Sequence, residues 1–144
     1  MTPPTTNVNA VAEQLLAAYG IYSPPVPIEA ILQRPQPDMW DTIDLSELSG
    51  TFFAAGDPYR PRLALTHLLV RLLTGTEWGA QRGLNGLNSS REQVESLARA
   101  ILMPRAWLAR LPATSLTAAA ISPIYQVPAA EVVIRLRELD VSAR

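Results

Sequence analysis

His67 is the only imidazole in the chain, and it lies in RLALTHLLVRLLTG (Arg62–Gly75), a run that reads as a single apolar helix. A helical histidine serves metal hydrolysis when a second ligand follows one turn later. In H-E-x-x-H two imidazoles hold zinc and the glutamate between them acts as general base. The positions after His67 are Leu68, Leu69, Val70 and Arg71. Leucine has no proton to move, and a guanidinium neither deprotonates nor ligates a cation. A hydrolytic zinc needs three protein ligands and a water, and this spacing supplies one. No cysteine is present to replace the missing ligands. The remaining concentration of carboxylates is Asp38, Asp41, Asp44 and Glu47. It lacks the turn glycine and ligand order of a calcium loop, and reads as a solvated face.

Three blocks keep the order seen in a known family. They are RPRLALTHLLVR (Arg60–Arg71), QVESLARAILMP (Gln93–Pro104) and YQVPAAEVVIRLREL (Tyr125–Leu139), preceded by a helix, a Pro-rich turn and SPPVPIEAIL (Ser23–Leu32). The pattern resembles the ImmA/IrrE-type metallopeptidases across most of the chain. The resemblance implies a zincin-like site whose first histidine falls on His67, whose base falls on Leu68 and whose second histidine falls on Arg71. The third ligand falls on Gln93, with Glu92 one residue earlier. By this correspondence the site is vestigial: no catalytic residue, no metal and no cofactor are expected. The family's edge strand before the histidine helix is replaced by Gly56-Asp57-Pro58-Tyr59-Arg60-Pro61, whose prolines interrupt ladder bonding.

The elements that must position these residues follow from local signals. Asn7 or Asn9 caps a first helix, VAEQLLAAY, that stops at Gly20. Pro27 suits the first position of a short helix, IEAILQR, which Pro35 and Pro37 end. Met39–Phe53 holds the only strand pattern, in MWDTIDL and SGTFFAA, and one hairpin must lie against helices to persist. The His67 helix starts at Pro61 and is apolar almost all round, so it is expected to be central and buried. Gly75–Ser90 reads as a loop over the former cleft. Ser89 with Glu92, or Ser90 with Gln93, forms a capping box for the next helix, which ends at Pro104. RAWLARL adds a turn or two, and helices around Leu116–Ser122 and Pro128–Leu139 close the chain across SPIYQVP.

A buried arginine must find a carboxylate. Glu92 and Glu95 come near the position of the implied third ligand, so an Arg71 bridge to one of them is expected to replace zinc between the two helices. His67 itself is expected to be a hydrogen-bonded core histidine. The final helix pair has helix-turn-helix form. Its second helix opens PAAEVVI without a basic residue, which argues for packing rather than DNA contact.

With 144 residues, 48% hydrophobic and 17% charged, the chain suits one globular domain. No apolar run approaches the roughly 20 residues a membrane span requires. The absence of cysteine and of a basic-then-apolar leader fits the cytoplasm. All 12 basic residues are arginine, and they are unevenly spread. Residues 1–59 hold seven acids against one arginine, whereas residues 60–144 hold eleven arginines against six acids, so the halves can staple together.

The combined expectation is an α+β, mainly helical, zincin-like minimal peptidase domain. A small antiparallel sheet packs on a central buried helix, with C-terminal helices beyond. Residues 1–59 supply the first helices and strands, 60–111 the former active-site helices and 112–144 the final pair. The expected function is a catalytically inactive, prophage-type regulatory scaffold that binds a protein partner in the emptied cleft. By resemblance that partner is a helix-turn-helix repressor, with no direct nucleic-acid or membrane contact. Two alternatives stand beside it. One is a residual zinc peptidase using Glu92 and an outside ligand. The other is an oligomerising module with Trp78, Leu84 and Leu87 as its patch.

Overall fold

The computed structural model describes residues 7–40, 58–87 and 90–142. Helix α1 (Val8–Ala18) begins where Asn7 Oδ1 accepts the Ala10 N–H at 3.1 Å. It ends in a left-handed Gly20 at φ +67°, with Ile21 N–H donating to Leu16 O at 2.9 Å and Gly20 N–H to Ala17 O at 3.1 Å. Those two bonds satisfy carbonyls the helix end would orphan, and glycine takes that backbone at least cost. Helix α2 (Ile28–Gln33) follows Pro27 and buries Ile28, Ile31 and Leu32.

Helix α3 (Arg60–Thr74) carries His67 and buries Leu65, Thr66, Leu69, Val70 and Leu73. The Thr66 hydroxyl, wholly buried, donates to Arg62 O at 2.7 Å. A one-turn helix α4 (Glu77–Ala80) is capped by Thr76, whose Oγ1 accepts the Gly79 N–H at 3.0 Å and donates to Leu73 O at 2.8 Å. Helix α5 (Arg91–Leu102) opens at Ser90, whose Oγ accepts the Gln93 N–H at 3.3 Å. Helix α6 (Arg105–Ala109) starts after Pro104, and a short 3-10 turn (Ala113–Ser115) leads to α7 (Ala118–Tyr125) and α8 (Ala129–Ser142).

The architecture is helix on helix. α5 packs against α1, α3 and α8, α2 against α3, and α7 against α8. α5 is the central helix, with Val94 and every residue from Leu97 to Leu102 buried. The expectation that the His67 helix holds the centre is corrected. Its Leu63, Leu68 and Leu72 are only half covered and Arg71 is exposed. Ala98 and Ala100 of α5 are instead wholly buried, on different sides of that helix.

The expected α+β class is corrected as well. The described residues form helices and contain no strand or sheet. Of MWDTIDL and SGTFFAA, only Met39 and Trp40 are described, and residues 41–57 lie outside the described residues. Met39 and Trp40 both reach back to the first two helical segments. Trp40 Nε1 donates to Leu32 O at 2.9 Å, and the Met39 sulfur accepts from the Tyr19 hydroxyl at 3.4 Å. One residue earlier, Asp38 O accepts the Trp78 N–H at 3.0 Å.

Two further expectations change. The Gly75–Ser90 segment contains α4, and its Trp78, Leu84 and Leu87 are buried in the core, so they form no exposed dimer patch. The first helix of the final pair runs to Tyr125 with Pro123 inside it. Proline removes the bond to the carbonyl four residues back. The last turn is held by burial of Tyr125, whose ring lies 6.3 Å from that of Trp107. Among the described residues no helix is long and apolar enough to cross a membrane.

The acidic and basic halves meet in one ion pair among the described residues, Arg105 Nη2 to Glu13 Oε1 at 3.4 Å. Other links to α1 use neutral amides. Arg82 Nε donates to Gln14 Oε1 at 2.7 Å, and Arg135 Nη2 to Asn9 Oδ1 at 2.6 Å. Arg82 also lies 3.8 Å over the Trp78 ring.

Candidate functional site

The positions singled out by the sequence do not converge. His67 is half-buried on α3, and Leu68 beside it is half-buried too. Arg71 is exposed one turn further on, while Glu92 and Gln93 are exposed in the first turn of α5. Among the described residues no ion pair joins Arg71 to Glu92 or Glu95, which corrects the expected replacement bridge. Arg71 has water available and therefore does not need a buried carboxylate. Glu95 is held by Arg91, four residues earlier on the same helix, at 3.1 Å.

A guanidinium–carboxylate link between helices does exist, but Arg99 makes it. Arg99 is 5% exposed at the centre of the helix packing. Its Nε and Nη2 reach Glu138 Oε1 and Oε2 at 3.1 and 3.0 Å, and its Nη1 reaches Glu131 Oε1 at 3.4 Å. Both acids belong to α8, seven residues apart and so on one helix face. Burial alone would lower the guanidinium pKa; Glu138 and Glu131 outweigh it and hold it above the usual value. The signal available in the sequence was an arginine inside the apolar run LARAILM.

Arg135, 1% exposed, differs from Arg99. Its Nε donates to Met103 O at 3.0 Å and its Nη2 to Asn9, both neutral acceptors. Burial pushes its pKa down to about 10, against a smaller upward pull from Glu138. Arg62 is likewise lowered by burial, opposed by Glu29. It ties α3 to the turn before α8 through Gln126 O at 3.2 Å.

His67 Nε2 is buried and has no hydrogen-bond partner among the described residues, so the expected satisfied core histidine is not what the fold provides. Burial pushes its pKa below the usual value; Glu95 and Glu131 pull upward, and Arg71 and Arg99 push down with the burial. A zinc ion tests poorly against this donor set. The implied ligands are one imidazole, an exposed amide and an exposed guanidinium, and a fixed cation repels a divalent ion at short range. Among the described residues no three His, Asp or Glu side chains gather into a metal-sized cluster.

Two grooves border these elements. One, of about 410 Å³, lies between α6 and α8 and is lined by Leu108, Leu116, Leu136 and Leu139, with Arg105 and Asp140 beside them. The other, of about 510 Å³, lies at the C-terminal end of α3 against Met39 and Trp40, with Arg71, Asp38 and Glu77 among its lining. The first is apolar; the second, nearest the expected cleft, is charged around its wall. Compared with protein-family models, curated proteins and solved structures, the chain matches none. The class defined by fold and site is a helical protein organised on a buried arginine–carboxylate centre.

Proposed function

We propose that this chain is a non-catalytic binding scaffold that seats an amphipathic helix of a partner protein in the groove between α6 and α8. The observation that carries it is the four-leucine lining of a groove open to solvent, with Leu116 37% exposed. An amphipathic helix buries apolar anchors three and four residues apart in such a groove. Arg105, itself paired with Glu13 at 3.4 Å, and Asp140 put charges of both signs beside the leucines, the arrangement that suits a helix with polar flanks of mixed sign. The resemblance to ImmA/IrrE-type proteins nominates a helix-turn-helix regulator as the partner.

A role without catalysis is supported by Leu68 and Arg71, which stand where base and second ligand would be. Protein contact rather than DNA contact is supported by the opening turns of α8, where Ala129, Ala130, Val133 and Ile134 are exposed and the first exposed cation on the helix is Arg137. Phosphate binding calls for cationic or hydrogen-bonding groups in such places.

The test places a photo-crosslinking residue at Leu116 and identifies its adducts by mass spectrometry in cells that also express a candidate regulator. An adduct mapping to one helix of that regulator, lost in Leu139→Glu, is the expected result. Adducts only to further copies of the chain would replace the reading with an oligomerising module. Absence of any adduct would remove the docking reading.

A further inference from the structure

Asn7, Ala10, Val11 and Gln14 follow one another at helical spacing and share one side of α1, with Asn7 as its cap. They form one wall of a groove of about 370 Å³, and Gln81 and Arg82, just after α4, form the other. This groove shares no lining residue with the leucine groove between α6 and α8.

Arg82 is held from three directions. Its Nε donates to Gln14 Oε1 at 2.7 Å, its Nη1 donates to Trp78 O at 3.0 Å, and its guanidinium carbon lies 3.8 Å from the centre of the Trp78 ring. Nη2 makes no hydrogen bond among the described residues. A guanidinium fixed in this way loses little further freedom when it meets an acceptor.

The two amides beside it are oriented by what they already bind. Asn7 Oδ1 accepts the Ala10 N–H at 3.1 Å, and Gln14 Oε1 accepts from Arg82. In each the oxygen is spent inside the protein and the NH2 group is left to donate. Both residues are exposed, as is Gln81, which can turn its own NH2 inward. No carboxylate occurs among the lining residues, and Glu13, next to Gln14 in the chain, pairs with Arg105 at 3.4 Å. The groove therefore offers converging donors and a single positive charge.

We propose that this groove is a binding site for a small organic monocarboxylate. An ionised carboxylate only accepts hydrogen bonds, and its two oxygens can take the Arg82 Nη2 donors together with the Asn7 and Gln14 NH2 groups. One guanidinium balances one negative charge, whereas a phosphate monoester brings nearly two. Ala10 and Val11 give the short apolar body of the acid a wall. The volume falls at the small end of ligand sites, which span about 300–1,000 Å³.

Butyrate is the probe, titrated while NMR follows the Arg82 Nε–H and the side-chain amides of Asn7 and Gln14. Saturable shifts at all three are expected, and none from butyramide, the uncharged analogue. Asn7→Asp keeps the helix cap but replaces a donor with an anion. Gln14→Glu keeps the acceptor for Arg82 and makes the same replacement. Read at Arg82 Nε–H, each should weaken butyrate binding at least about tenfold while circular dichroism shows the helices intact. Shifts that never saturate, equal shifts from butyramide, or unchanged affinity in both variants would overturn the site. Tighter binding of inorganic phosphate than of butyrate would overturn the carboxylate assignment.

Discussion

Arg99 and Glu138 face each other through two near-parallel contacts, Nε to Oε1 at 3.1 Å and Nη2 to Oε2 at 3.0 Å. This fork joins the central helix to the C-terminal one, and the guanidinium geometry matches a carboxylate edge. Glu131 adds a single longer contact at 3.4 Å. Removing Glu138 leaves the buried cation with that lesser partner. Breaking a buried pair from one side costs about 3–5 kcal/mol, and residual pairing with Glu131 cuts this to about 2–3. Glu138→Ala is therefore expected to lower unfolding free energy by about 2–3 kcal/mol and Glu131→Ala by about 1. Urea denaturation followed by circular dichroism checks the order. Equal losses would mean that the fork is no stronger than the single contact.

His67 gives stability a pH dependence of known sign. Its folded pKa lies below the unfolded value because burial penalises the imidazolium. As pH falls through the unfolded value, about 6.5, the unfolded chain takes up the proton first and the native state loses ground. The loss continues until the folded pKa is passed, below which both states are protonated. This contribution is thus complete above about pH 7 and declines on acidification. His67→Phe should flatten that part of the profile relative to the parent chain, measured by chemical denaturation between about pH 5 and 7.5. A parent profile rising toward acid would contradict the assigned direction.

Gly79 is required by a close approach rather than by backbone conformation. A Cβ there would stand 1.9 Å from Leu73 O and 2.9 Å from Leu73 C, both backbone atoms at the end of α3. Neither can rotate aside, so Gly79→Ala must shift α4 away from α3 and disturb the burial of Trp78. Overpacking of this kind costs about 1–3 kcal/mol. A lowered melting temperature with reduced near-ultraviolet signal from Trp78 is expected. Gly75→Ala serves as the control, because its Cβ would meet only Leu72 O at 3.8 Å.

Helix boundaries were legible where a local group makes them. Asn7, Ser90 and Gly20 act within three to five residues of themselves: Asn7 caps α1 and Gly20 turns its end, while Ser90 makes the serine half of the capping box and sends its own N–H to Leu87 O. Trp78, Leu84 and Leu87 were misjudged because their glycine-rich surroundings look like loop, while burial depends on elements distant in sequence. The Arg99 centre was hidden for the same reason. Apolar periodicity locates a buried face but does not say which distant acids meet a charge within it. Arg71 was assigned that role on the expectation that it is buried, yet its own position on α3 is exposed between the buried Val70 and Leu73. Gly79 could not be singled out at all, because the neighbour that excludes a side chain there is a carbonyl of another helix.

Zinc affinity tests the reading of the His67 helix directly. A histidine pair four residues apart on one helix face can chelate a metal, and His67 and Arg71 have that spacing. In the natural chain Arg71 contributes a fixed positive charge, and Leu68 contributes no base. Arg71→His removes the charge and adds an imidazole together. Because Arg71 is exposed, the substitution should be tolerated by the fold. Calorimetric titration with zinc is expected to show at least about a tenfold gain in affinity for Arg71→His, about 1.4 kcal/mol. His67→Ala in that background should abolish the gain, which assigns it to the pair rather than to the surface. Leu68→Glu added to Arg71→His restores the H-E-x-x-H order, and peptidase activity is not expected to follow, since the third ligand position remains the exposed amide of Gln93. If the natural chain instead bound zinc stoichiometrically and lost it on His67→Ala, the scaffold would be a metalloprotein and the vestigial reading would fail.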